Sequence, residues 1–505
     1  MLHQYKTTHT IDGKPATSPT TAPIVNPTTG EVFAHVPVAT NEQLEETIAA
    51  AERAVPAWSA KTWDQREDAL VALAALAGQH ADQFAELIMR EGGKDRMSTG
   101  FEISSAIPWI PKFAKHRLQE EVSTDDALGR VSTIRYRPYG VCAAIVAFNF
   151  PFGLCVLKMT HALLAGNCLI IKVPPTCPCA ALKLVELAQS IFPPGVLSVL
   201  YGGNDLGQRI VQHPRIMRIS FTGSTTAGKA IMREAAAELK SITLELGGND
   251  PAIVFPDVDV KKVAQHLFIG ATGNGGQACF GIKRLFIHED IYEAVRDELV
   301  VLAKGAKVGD PFDKDTFIGP MQNPALQDKL KYVLSQLDRA MWDWTITDMN
   351  RGLLADCKSN GYKIAFEGTV SDESGKGYFI PITVVDNPPD DARIVREEQF
   401  GPIIPLLKWR DEEDVVARAN NSEYGFGSTI WGTDMERIRR VAEKLYFGMV
   451  WINEWATVSP ELPLTGTKLK LLPIRQHSGV GVESSKHGLA SWVYIQAFVC
   501  KQSIN

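Results

Sequence analysis

Residues 139–157 read YGVCAAIVAFNFPFGLCVL and contain no charged side chain. A run of this length can span a membrane as a helix. Asn149, Pro151 and Gly153 interrupt its second half, however, and proline and glycine both disfavour a helix interior. A buried strand, a turn and the first part of a helix explain the same residues, because the proline and the glycine then lie at the turn. The stretch therefore predicts a strand over 141–148 and a helix from residue 152.

The alternation of strands and helices after this point predicts the fold class. Strands that alternate with helices of ten or more residues form right-handed βαβ units around a parallel, doubly wound sheet. Such strands are buried on both faces and read as unbroken apolar runs. A second α/β region is expected over about 250–450. The predicted strands are 141–148, 168–173, 196–202, 217–223, 241–246 and 251–255, and the predicted helices are 152–166, 178–192, 205–213 and 225–238.

Length and composition favour a globular enzyme of two or three domains. The chain has 505 residues, of which 45% are hydrophobic and 22% charged. A net charge of -6 gives no support for nucleic acid or an anionic membrane as a partner. The eight cysteines fit no disulfide scaffold, and Cys177 and Cys179 lack further ligands for zinc, so no metal is expected. The N-terminus lacks the apolar region of a signal peptide. We expect a cytoplasmic protein, with a transit peptide left open.

Four N-terminal features predict local structure. Residues 1–30 are rich in threonine and proline and predict an extended arm. Thr40 begins a capping box that predicts a helix with Leu44 and Ile48 on its buried face. A further helical period covers 66–90 and should end at the glycines that follow. Polar and apolar residues alternate over 129–140, which predicts an antiparallel ribbon with one wet face.

Three residues with polar or reactive side chains lie in or beside segments that are expected to be buried. Cys279 belongs to the glycine-rich GNGGQACFG (273–281) and is either a small buried hydrophobic residue or a nucleophile. Glu245 ends an apolar strand, where its carboxylate is either solvated or used in function. Asn149 follows the strand of 141–148, and its amide either caps the next helix or donates to a ligand.

Other residues suit a ligand that carries phosphate. FTGSTTAG (221–228) leads from a strand into a helix, and its backbone N–H groups could bind a pyrophosphate. It lacks the G-x-G-x-x-G spacing, and an ordinary strand–helix turn explains it as well. Lys172 ends the strand of 168–173 and is either a surface lysine or a ligand-binding group. Glu398 in EEQFGP (397–402) is, taken alone, one of many acidic loop residues.

In their order and spacing, these motifs resemble those of the aldehyde dehydrogenase superfamily. LELGG (244–248) and GQAC (276–279) are the most specific, and the resemblance extends from about residue 20 to the C-terminus. It implies an α/β fold with a Rossmann-type parallel-sheet cofactor domain, an α/β catalytic domain and a small β ribbon for bridging and oligomerisation. It also implies an enzyme that oxidises a small-molecule aldehyde to the carboxylic acid with NAD(P)+.

The resemblance assigns a catalytic role to three residues. Cys279 attacks the aldehyde as a thiolate, and hydride transfer then leaves a thioester. Asn149 donates its amide N–H to the oxyanion together with the backbone N–H of the cysteine. Glu245 activates the water that releases the acid. Because members that pass the acyl group to coenzyme A lack this glutamate, hydrolysis is expected here.

The resemblance also assigns the cofactor-binding residues. Lys172 and Glu398 match residues that hold the adenosine and nicotinamide riboses, and Phe400 matches an aromatic residue near the nicotinamide ribose. Many members carry a glutamate three residues after the lysine that selects NAD, whereas this chain has Pro175. We therefore expect NAD and leave NADP open. The residues that match the pyrophosphate turn are Gly223, Ser224, Thr225, Thr226, Ala227 and Gly228.

The same resemblance predicts the domain organisation and a homodimer or homotetramer. Two stretches, 338–357 and 464–477, are longer than the family pattern, and each is either a surface insertion or translated intervening sequence. The expected parts are a cofactor domain of 1–117 and 139–247, a catalytic domain of 248–447, an oligomerisation ribbon of 118–138 and 482–505, and a substrate-mouth segment of 448–481.

Two other functions fit the residues. A cysteine esterase or acyl-transfer enzyme without redox chemistry needs Cys279 and Glu245 but no cofactor. The second alternative is a family member without catalytic activity that serves structure or binding, and the insertion at 464–477 favours this alternative. The substrate stays open, because Phe148, Phe152, Trp451 and Trp455 either line an apolar tunnel or belong to the core.

Overall fold

The structure is a computed structural model that describes residues 7–125, 130–330, 352–372, 375–467, 470–471 and 474–501. Strands and helices are numbered along the chain. The first sheet has five parallel strands at its centre and antiparallel strands at both edges. Its order is β2 (Lys14–Ala16), β1 (His9–Ile11), β9 (Leu197–Leu200), β8 (Cys168–Lys172), β7 (Val141–Ile145), β10 (Arg218–Thr222), β11 (Ser241–Glu245) and β23 (Gly479–Val480).

Helices cover both faces of this sheet and form one hydrophobic core with it. They are α1 (Asn41–Ser59), α2 (Trp63–Gln79), α3 (Ala81–Gly92), α4 (Arg96–Ala114), α5 (Pro151–Leu164), α6 (Cys179–Ala188), α7 (Asn204–Gln212), α8 (Thr225–Ala235) and α16 (Ser485–Ala490).

The second sheet is parallel except at one edge, where β16 runs antiparallel to its neighbour. Its order is β16 (Lys363–Glu367), β17 (Thr383–Asp386), β18 (Ile403–Trp409), β13 (Ile282–His288), β12 (Asp250–Val254), β19 (Gly427–Trp431) and β20 (Met449–Ile452). Separate hydrophobic clusters lie on its two faces. The accompanying helices are α9 (Val260–Thr272), α10 (Tyr292–Gly305), α11 (Pro324–Leu330), α12 (Leu353–Ser359), α13 (Arg393–Arg396), α14 (Glu412–Asn420) and α15 (Met435–Ala442).

The remaining strands form small sheets. The ribbon expected near residue 130 is a three-stranded antiparallel sheet with β6 in its centre and β24 at one edge. Its strands are β5 (Glu121–Asp125), β6 (Arg130–Pro138) and β24 (Val493–Lys501). The two-stranded sheets are β3 (Thr21–Asn26) with β4 (Glu31–Pro37), β14 (Lys307–Val308) with β15 (Thr316–Ile318), and β21 (Lys470–Leu471) with β22 (Ile474–Arg475).

The predicted fold class is confirmed. Each strand and helix predicted between residues 141 and 255 is present, with ends that differ by a few residues. All of β7 is buried, and Pro151 occupies the first turn of α5, where a proline costs no hydrogen bond. The opening stretch is thus a strand, a turn and a helix. Among the described residues, no helix has the length and apolar character needed to cross a membrane.

One N-terminal prediction is confirmed and one was wrong. Thr40 forms the capping box with Gln43 at the start of α1. The helix predicted over 66–90 is two helices, α2 and α3, with a break at His80. The described part of the predicted extended arm, residues 7–30, contains the short extended strands β1, β2 and β3, and β1 pairs with β9 at the edge of the first sheet.

The two long stretches are placed only in part. Residues 338–351 lie outside the described residues, whereas Leu353, Leu354 and Cys357 are buried in the core beside the second sheet, so this end of the stretch is no surface loop. In the other stretch β21 and β22 pair as an antiparallel hairpin. Its base is tied by a hydrogen bond from Thr467 Oγ1 to Gln476 Oε1 of 2.6 Å.

Candidate active site

The two sheets meet at the place where the predicted site residues gather. In the first sheet, Ile145 pairs with Lys172 and Thr222 pairs with Glu245, so the carboxyl ends of these parallel strands form one edge. Ligands of open parallel sheets bind outside that edge. Residues 246–249 then connect β11 directly to β12 of the second sheet.

Cys279 and Glu398 approach this edge from the second sheet. Each lies a few residues before a strand, Cys279 before β13 and Glu398 before β18, and both strands run parallel to β12. The amino edge of the second sheet therefore faces the carboxyl edge of the first. Residues from both sheets converge on one crevice.

The two glycines of LELGG allow these loops to touch. A Cβ atom on Gly247 would overlap the Glu398 carboxylate, and one on Gly248 would overlap the carbonyl oxygen of Cys279. The Gly248 N–H also donates to Glu398 Oε1 at 2.8 Å. Absence of a side chain at both positions is what lets the segment after Glu245 contact the loops of the second sheet.

A buried lysine holds the loop of Cys279. Lys283 Nζ donates to the carbonyl oxygens of Ala278 (2.6 Å), Cys279 (3.1 Å) and Gly281 (3.2 Å). It also lies 3.7 Å from Glu398 Oε1. Burial raises the pKa of the Cys279 thiol above its ordinary value, and the positive charge of Lys283 works in the opposite direction. Lys283 thus fixes the loop and favours the thiolate.

Asn149 is held in place from its backbone and its side chain. Its Nδ2 donates to the Gln277 carbonyl oxygen at 3.1 Å, which leaves the second N–H of the amide free for another acceptor. The carbonyl oxygen of Asn149 accepts from Lys94 Nζ at 2.7 Å. Lys94 forms a buried ion pair with Glu102, whose Oε1 also accepts the Phe152 N–H at 2.9 Å. The Asn149 amide is therefore aimed by contacts on both sides of it.

Glu245 is a buried carboxyl group without a partner. Its exposed fraction is 3%, and neither carboxylate oxygen has a hydrogen-bond partner among the described residues. Burial raises the pKa of Glu245 well above its ordinary value, the charge of Glu483 raises it further, and Lys158 acts in the opposite direction. An unsatisfied buried polar group costs about 1–3 kcal/mol. A group kept at that cost, with a perturbed pKa and in a cavity, is a candidate for function.

The second carboxyl group of this region is charged. Lys158 Nζ donates to Glu483 Oε1 at 2.9 Å and to Ser220 Oγ at 2.6 Å, and both charged side chains are fully buried. Burial acts to raise the pKa of Glu483, but Lys158, Ser220 and Arg218 together hold it below the ordinary value. Two nearby carboxyl groups, Glu245 and Glu483, thus have opposite preferred protonation states.

One cavity brings the three predicted catalytic residues together. Asn149, Glu245 and Cys279 all line it, and most of the remaining wall is apolar. Four of its aromatic residues, Phe101, Trp109, Phe280 and Phe426, were not singled out from the sequence. The other lining residues are Glu102, Ser105, Ala106, Phe150, Gly153, Leu154, Leu157, Thr222, Val458, Leu464, Glu483 and Ser484.

The four aromatic residues suggested for a tunnel lie elsewhere. Phe152 is buried in the core of the first sheet, and Phe148 packs edge-on against Phe400 with ring centroids 6.0 Å apart. Trp451 belongs to a buried cluster behind the cavity, and Trp455 lines a second, neighbouring cavity. None of the four lines the cavity of Cys279.

Lys172 suits a ligand hydroxyl group. Its exposed fraction is 4%, and Nζ donates to the Val173 carbonyl oxygen at 3.3 Å, which leaves further N–H donors. Burial lowers the pKa of Lys172 to about 8, and the charge of Asp205 works in the opposite direction. Lys172 is thus a buried lysine and not the surface lysine of the alternative interpretation.

The predicted pyrophosphate turn forms the N-terminus of α8. Ser224 caps the helix by accepting the Ala227 N–H at 3.2 Å. A Cβ atom on Gly223 would overlap the Phe221 ring, and one on Gly228 would overlap Leu246. The two glycines therefore serve close packing of the helix against the sheet. The turn keeps the uncapped N–H groups and positive dipole end that bind anions at a helix N-terminus.

Glu398 and Phe400 lie on the side of the crevice that the second sheet forms. The side chain of Glu398 is 14% exposed, and its backbone carbonyl accepts from Lys329 Nζ at 2.6 Å. Phe400 has a left-handed backbone conformation with φ of 58°, which is strained for an aromatic residue. Such strain persists where the surroundings fix a functional geometry. These residues, Lys172 and the turn of α8 could hold a ligand that carries hydroxyl and phosphate groups.

Sequence reasoning missed the charged residues that surround the site. Lys94, Glu102, Lys158, Lys283 and Glu483 are all buried, yet each could be a surface residue when read from the sequence. Lys158 carried the clearest signal, because it is the only acidic or basic side chain apart from histidine in the otherwise apolar α5. A lysine at such a position needs a buried partner.

Comparison with known proteins gives the family. The sequence profile of the aldehyde dehydrogenase family matches residues 14–498. The chain belongs to this family and is an aldehyde dehydrogenase by fold and sequence. It is 36% identical to aldehyde dehydrogenase LUC3 of a Fusarium species over 487 residues, which cover 96% of this chain and 97% of the relative.

Two further relatives are named with their cofactors. The chain is 32% identical to the NADP(+) succinate-semialdehyde dehydrogenase GabD of Escherichia coli over 482 residues, which cover 94% of this chain and 93% of that one. Betaine aldehyde dehydrogenase of Staphylococcus aureus, solved in complex with NAD+, superposes with a TM-score of 0.91 at 27% identity and covers 100% of this chain and 96% of its own.

The close contact of Gly248 with Cys279 can be tested by measuring how a substitution of the glycine changes the stability of the protein. Gly248→Ala should lower the free energy of unfolding by about 1–3 kcal/mol, because the new methyl group meets a backbone carbonyl that cannot rotate away. Gly100→Ala is the matched control: it lies in α4 with open space around it and should raise stability by up to about 1 kcal/mol. The thermal unfolding midpoint at one scan rate measures both. A midpoint of Gly248→Ala equal to or above wild type would contradict the contact.

Proposed function

We propose that the protein oxidises an aldehyde to the carboxylic acid with NAD(P)+ through a covalent intermediate on Cys279. The observation that carries the proposal is the apolar cavity that Cys279, Asn149 and Glu245 all line, with no hydrogen-bond partner for the Glu245 carboxyl group among the described residues. A nucleophile, an amide donor and a neutral carboxyl group in one apolar cavity are the parts that covalent acyl chemistry requires.

Each residue has one task in this mechanism. The sulfur of Cys279 bonds to the aldehyde carbon, and the free N–H of Asn149 donates to the oxygen on which negative charge develops. An aligned donor of this kind contributes about 2.7–4 kcal/mol to transition-state stabilisation. A bound nicotinamide cofactor would supply the acceptor for the hydride that leaves the former aldehyde carbon, and loss of that hydride leaves Cys279 carrying the acyl group as a thioester.

Release of the acid falls to Glu245. In its deprotonated form the carboxylate takes a proton from water, the water oxygen bonds to the acyl carbon, and the carbon–sulfur bond breaks to return the thiolate. Because the pKa of Glu245 is raised, the carboxylate is a stronger base than an exposed glutamate once it has lost its proton. Lys283 favours return of the negative charge to Cys279.

For the cofactor we propose NAD, held by Lys172, the α8 turn from Gly223 to Gly228, Glu398 and Phe400, with NADP left open. Relatives are named with each cofactor. Pro175 is exposed and supplies no carboxylate that would repel a 2′-phosphate.

The division into cofactor, catalytic, ribbon and mouth segments stays a prediction, as does a cytoplasmic location.

An assay with Cys279→Ala tests the catalytic proposal. Purified protein with an aldehyde panel and each nicotinamide cofactor should form NAD(P)H, and Cys279→Ala should lose at least about 1,000-fold of that rate because no covalent intermediate can form. Cys155→Ala is the control, since Cys155 is also a buried thiol but belongs to α5 and not to the cavity. Ester hydrolysis without cofactor reduction would favour the esterase alternative, and absence of both activities a non-catalytic protein.

We also propose that β24 pairs the chain into a homodimer or a larger homo-oligomer. This strand is the edge of the three-stranded ribbon and exposes apolar side chains along its length, with Ile495 68% and Val499 61% exposed. An exposed apolar edge strand is a template for pairing with another chain. A second copy of the same strand is the partner that this edge fits, because homo-oligomers with two-fold symmetry are common.

The ribbon proposal predicts the effect of charge on β24. Ile495→Asp combined with Val499→Asp should convert the oligomer to a monomer, because two carboxylates would have to be buried without partners in the interface. Light scattering measures the mass in solution. Gln496→Asp, on the same strand but at an already polar position, is the control and should keep the wild-type mass. A monomeric wild-type protein would contradict the proposal.

A further inference from the structure

The wall of the catalytic cavity offers little that could bind a charged substrate tail. Its aromatic residues and its aliphatic residues, such as Leu154, Leu157 and Val458, form most of the lining. Among the described residues, no lysine, arginine or histidine lines the cavity. A carboxylate-bearing aldehyde would therefore lose its hydration without gaining a cationic partner.

Two of the three carboxyl groups of the wall, those of Glu102 and Glu483, are not available to a cation, and the third, Glu245, is the group that the proposed mechanism uses to activate water. Glu102 is paired with Lys94, and Glu483 is paired with Lys158, in ion pairs whose members are all buried. Each pair is neutral as a unit. A positively charged tail would have to compete with an internal ammonium that is already hydrogen-bonded.

Two aromatic rings of the wall, those of Phe150 and Phe280, are already in contact with other groups. Lys94 Nζ lies 3.9 Å from the centroid of the Phe150 ring, so this ring already faces a cation. Phe150 also stacks with Phe280 at a centroid distance of 6.2 Å and an interplanar angle of 23°. A quaternary ammonium group is recognised by free aromatic faces, and the ammonium of Lys94 would repel it here.

A second cavity extends the apolar path. Phe101, Phe150 and Phe280 line both cavities, so these rings form the boundary between them. The far wall of the second cavity includes Ile269 and Trp455, and Trp455 Nε1 donates to the Phe280 carbonyl oxygen at 3.1 Å. An apolar tail longer than the first cavity would meet apolar surface beyond these rings.

We infer that the substrate is an uncharged, apolar aldehyde whose carbonyl carbon lies at Cys279 and whose tail packs on the wall of Phe101, Trp109, Phe150, Leu154 and Phe280. The inference rests on the proposed function, because it concerns the same cavity. It selects an aliphatic or aromatic hydrocarbon tail over a carboxylate or a quaternary ammonium group. The selection follows from unpaired charge, which costs far more in such a cavity than a change of shape.

Isosteric aldehydes separate charge from shape. Succinate semialdehyde pairs with 4-methylpentanal, in which an isopropyl group replaces the carboxylate. Betaine aldehyde pairs with 3,3-dimethylbutanal, in which carbon replaces the quaternary nitrogen. The neutral member of each pair should have a kcat/KM at least about tenfold higher, because it leaves no buried charge unpaired. Equal values, or a preference for either charged member, would overturn the inference.

A variant of the wall tests where the tail lies. Trp109→Ala should lower kcat/KM for 4-methylpentanal by about tenfold or more and change that for propanal by less than about threefold, because only the longer tail reaches this ring. Trp63→Ala is the control, a partly buried tryptophan of α2 that does not line the cavity. Equal loss for both aldehydes, or no loss for either, would overturn the placement of the tail.

The outcomes distinguish this inference from the proposed function. If no aldehyde of the panel is oxidised with either cofactor, the proposed function fails. If charged aldehydes are oxidised in preference to their neutral isosteres, the proposed function holds and the substrate class is wrong.

Discussion

The carboxyl group of Glu245 is buried at the end of a parallel strand and has no hydrogen-bond partner in the described part of the chain, and much of the surrounding structure follows from that constraint. A lone buried carboxyl group is stable only in its protonated form. The cavity around it is apolar, which sustains the raised pKa. The next four residues connect to the second sheet, and Gly248 meets the loop of Cys279 there.

The buried charges around Glu245 are balanced in pairs. Lys158 compensates Glu483, and Lys94 compensates Glu102, so neither pair leaves a net charge beside the reacting atoms. Each pair also positions backbone groups: Lys94 bonds the Asn149 carbonyl, and Glu102 bonds the first N–H groups of α5. Preorganisation of this kind fixes a donor before the substrate arrives. Removal of one member would leave the other charge buried and unpaired, at about 3–5 kcal/mol.

Much of the fold was predictable because its parallel strands are buried on both faces. Such strands appear as apolar runs, so β7, β8, β10 and β11 were placed to within a few residues. The break between α2 and α3 at His80 was missed, because the helical period continues across it and the nearby Gly78 is, as a single glycine, only a weak sign of a helix end. Pairing of β1 with β9 depends on residues far apart in sequence, which local patterns do not report.

The candidate site was predictable only for residues within short motifs. LELGG and GQAC gave Glu245 and Cys279, and the structure brings both to one cavity with Asn149. The Lys158–Glu483 ion pair was not predictable, because its members lie 325 residues apart. Lys94 and Glu102 are closer, but each resembles a surface charge in the sequence. The aromatic wall was also missed, since single aromatic residues do not show from sequence whether they face a cavity or a core.

The central claim is that Cys279 carries an acyl group that Glu245 releases, and Glu245→Gln tests it most directly. Mixed with aldehyde and NAD+, this variant should form about one NADH per active site and then stop, because the thioester cannot be hydrolysed. Mass spectrometry should locate the acyl group on the Cys279 peptide. Continued turnover at the wild-type rate, or a burst without an adduct on Cys279, would contradict the account.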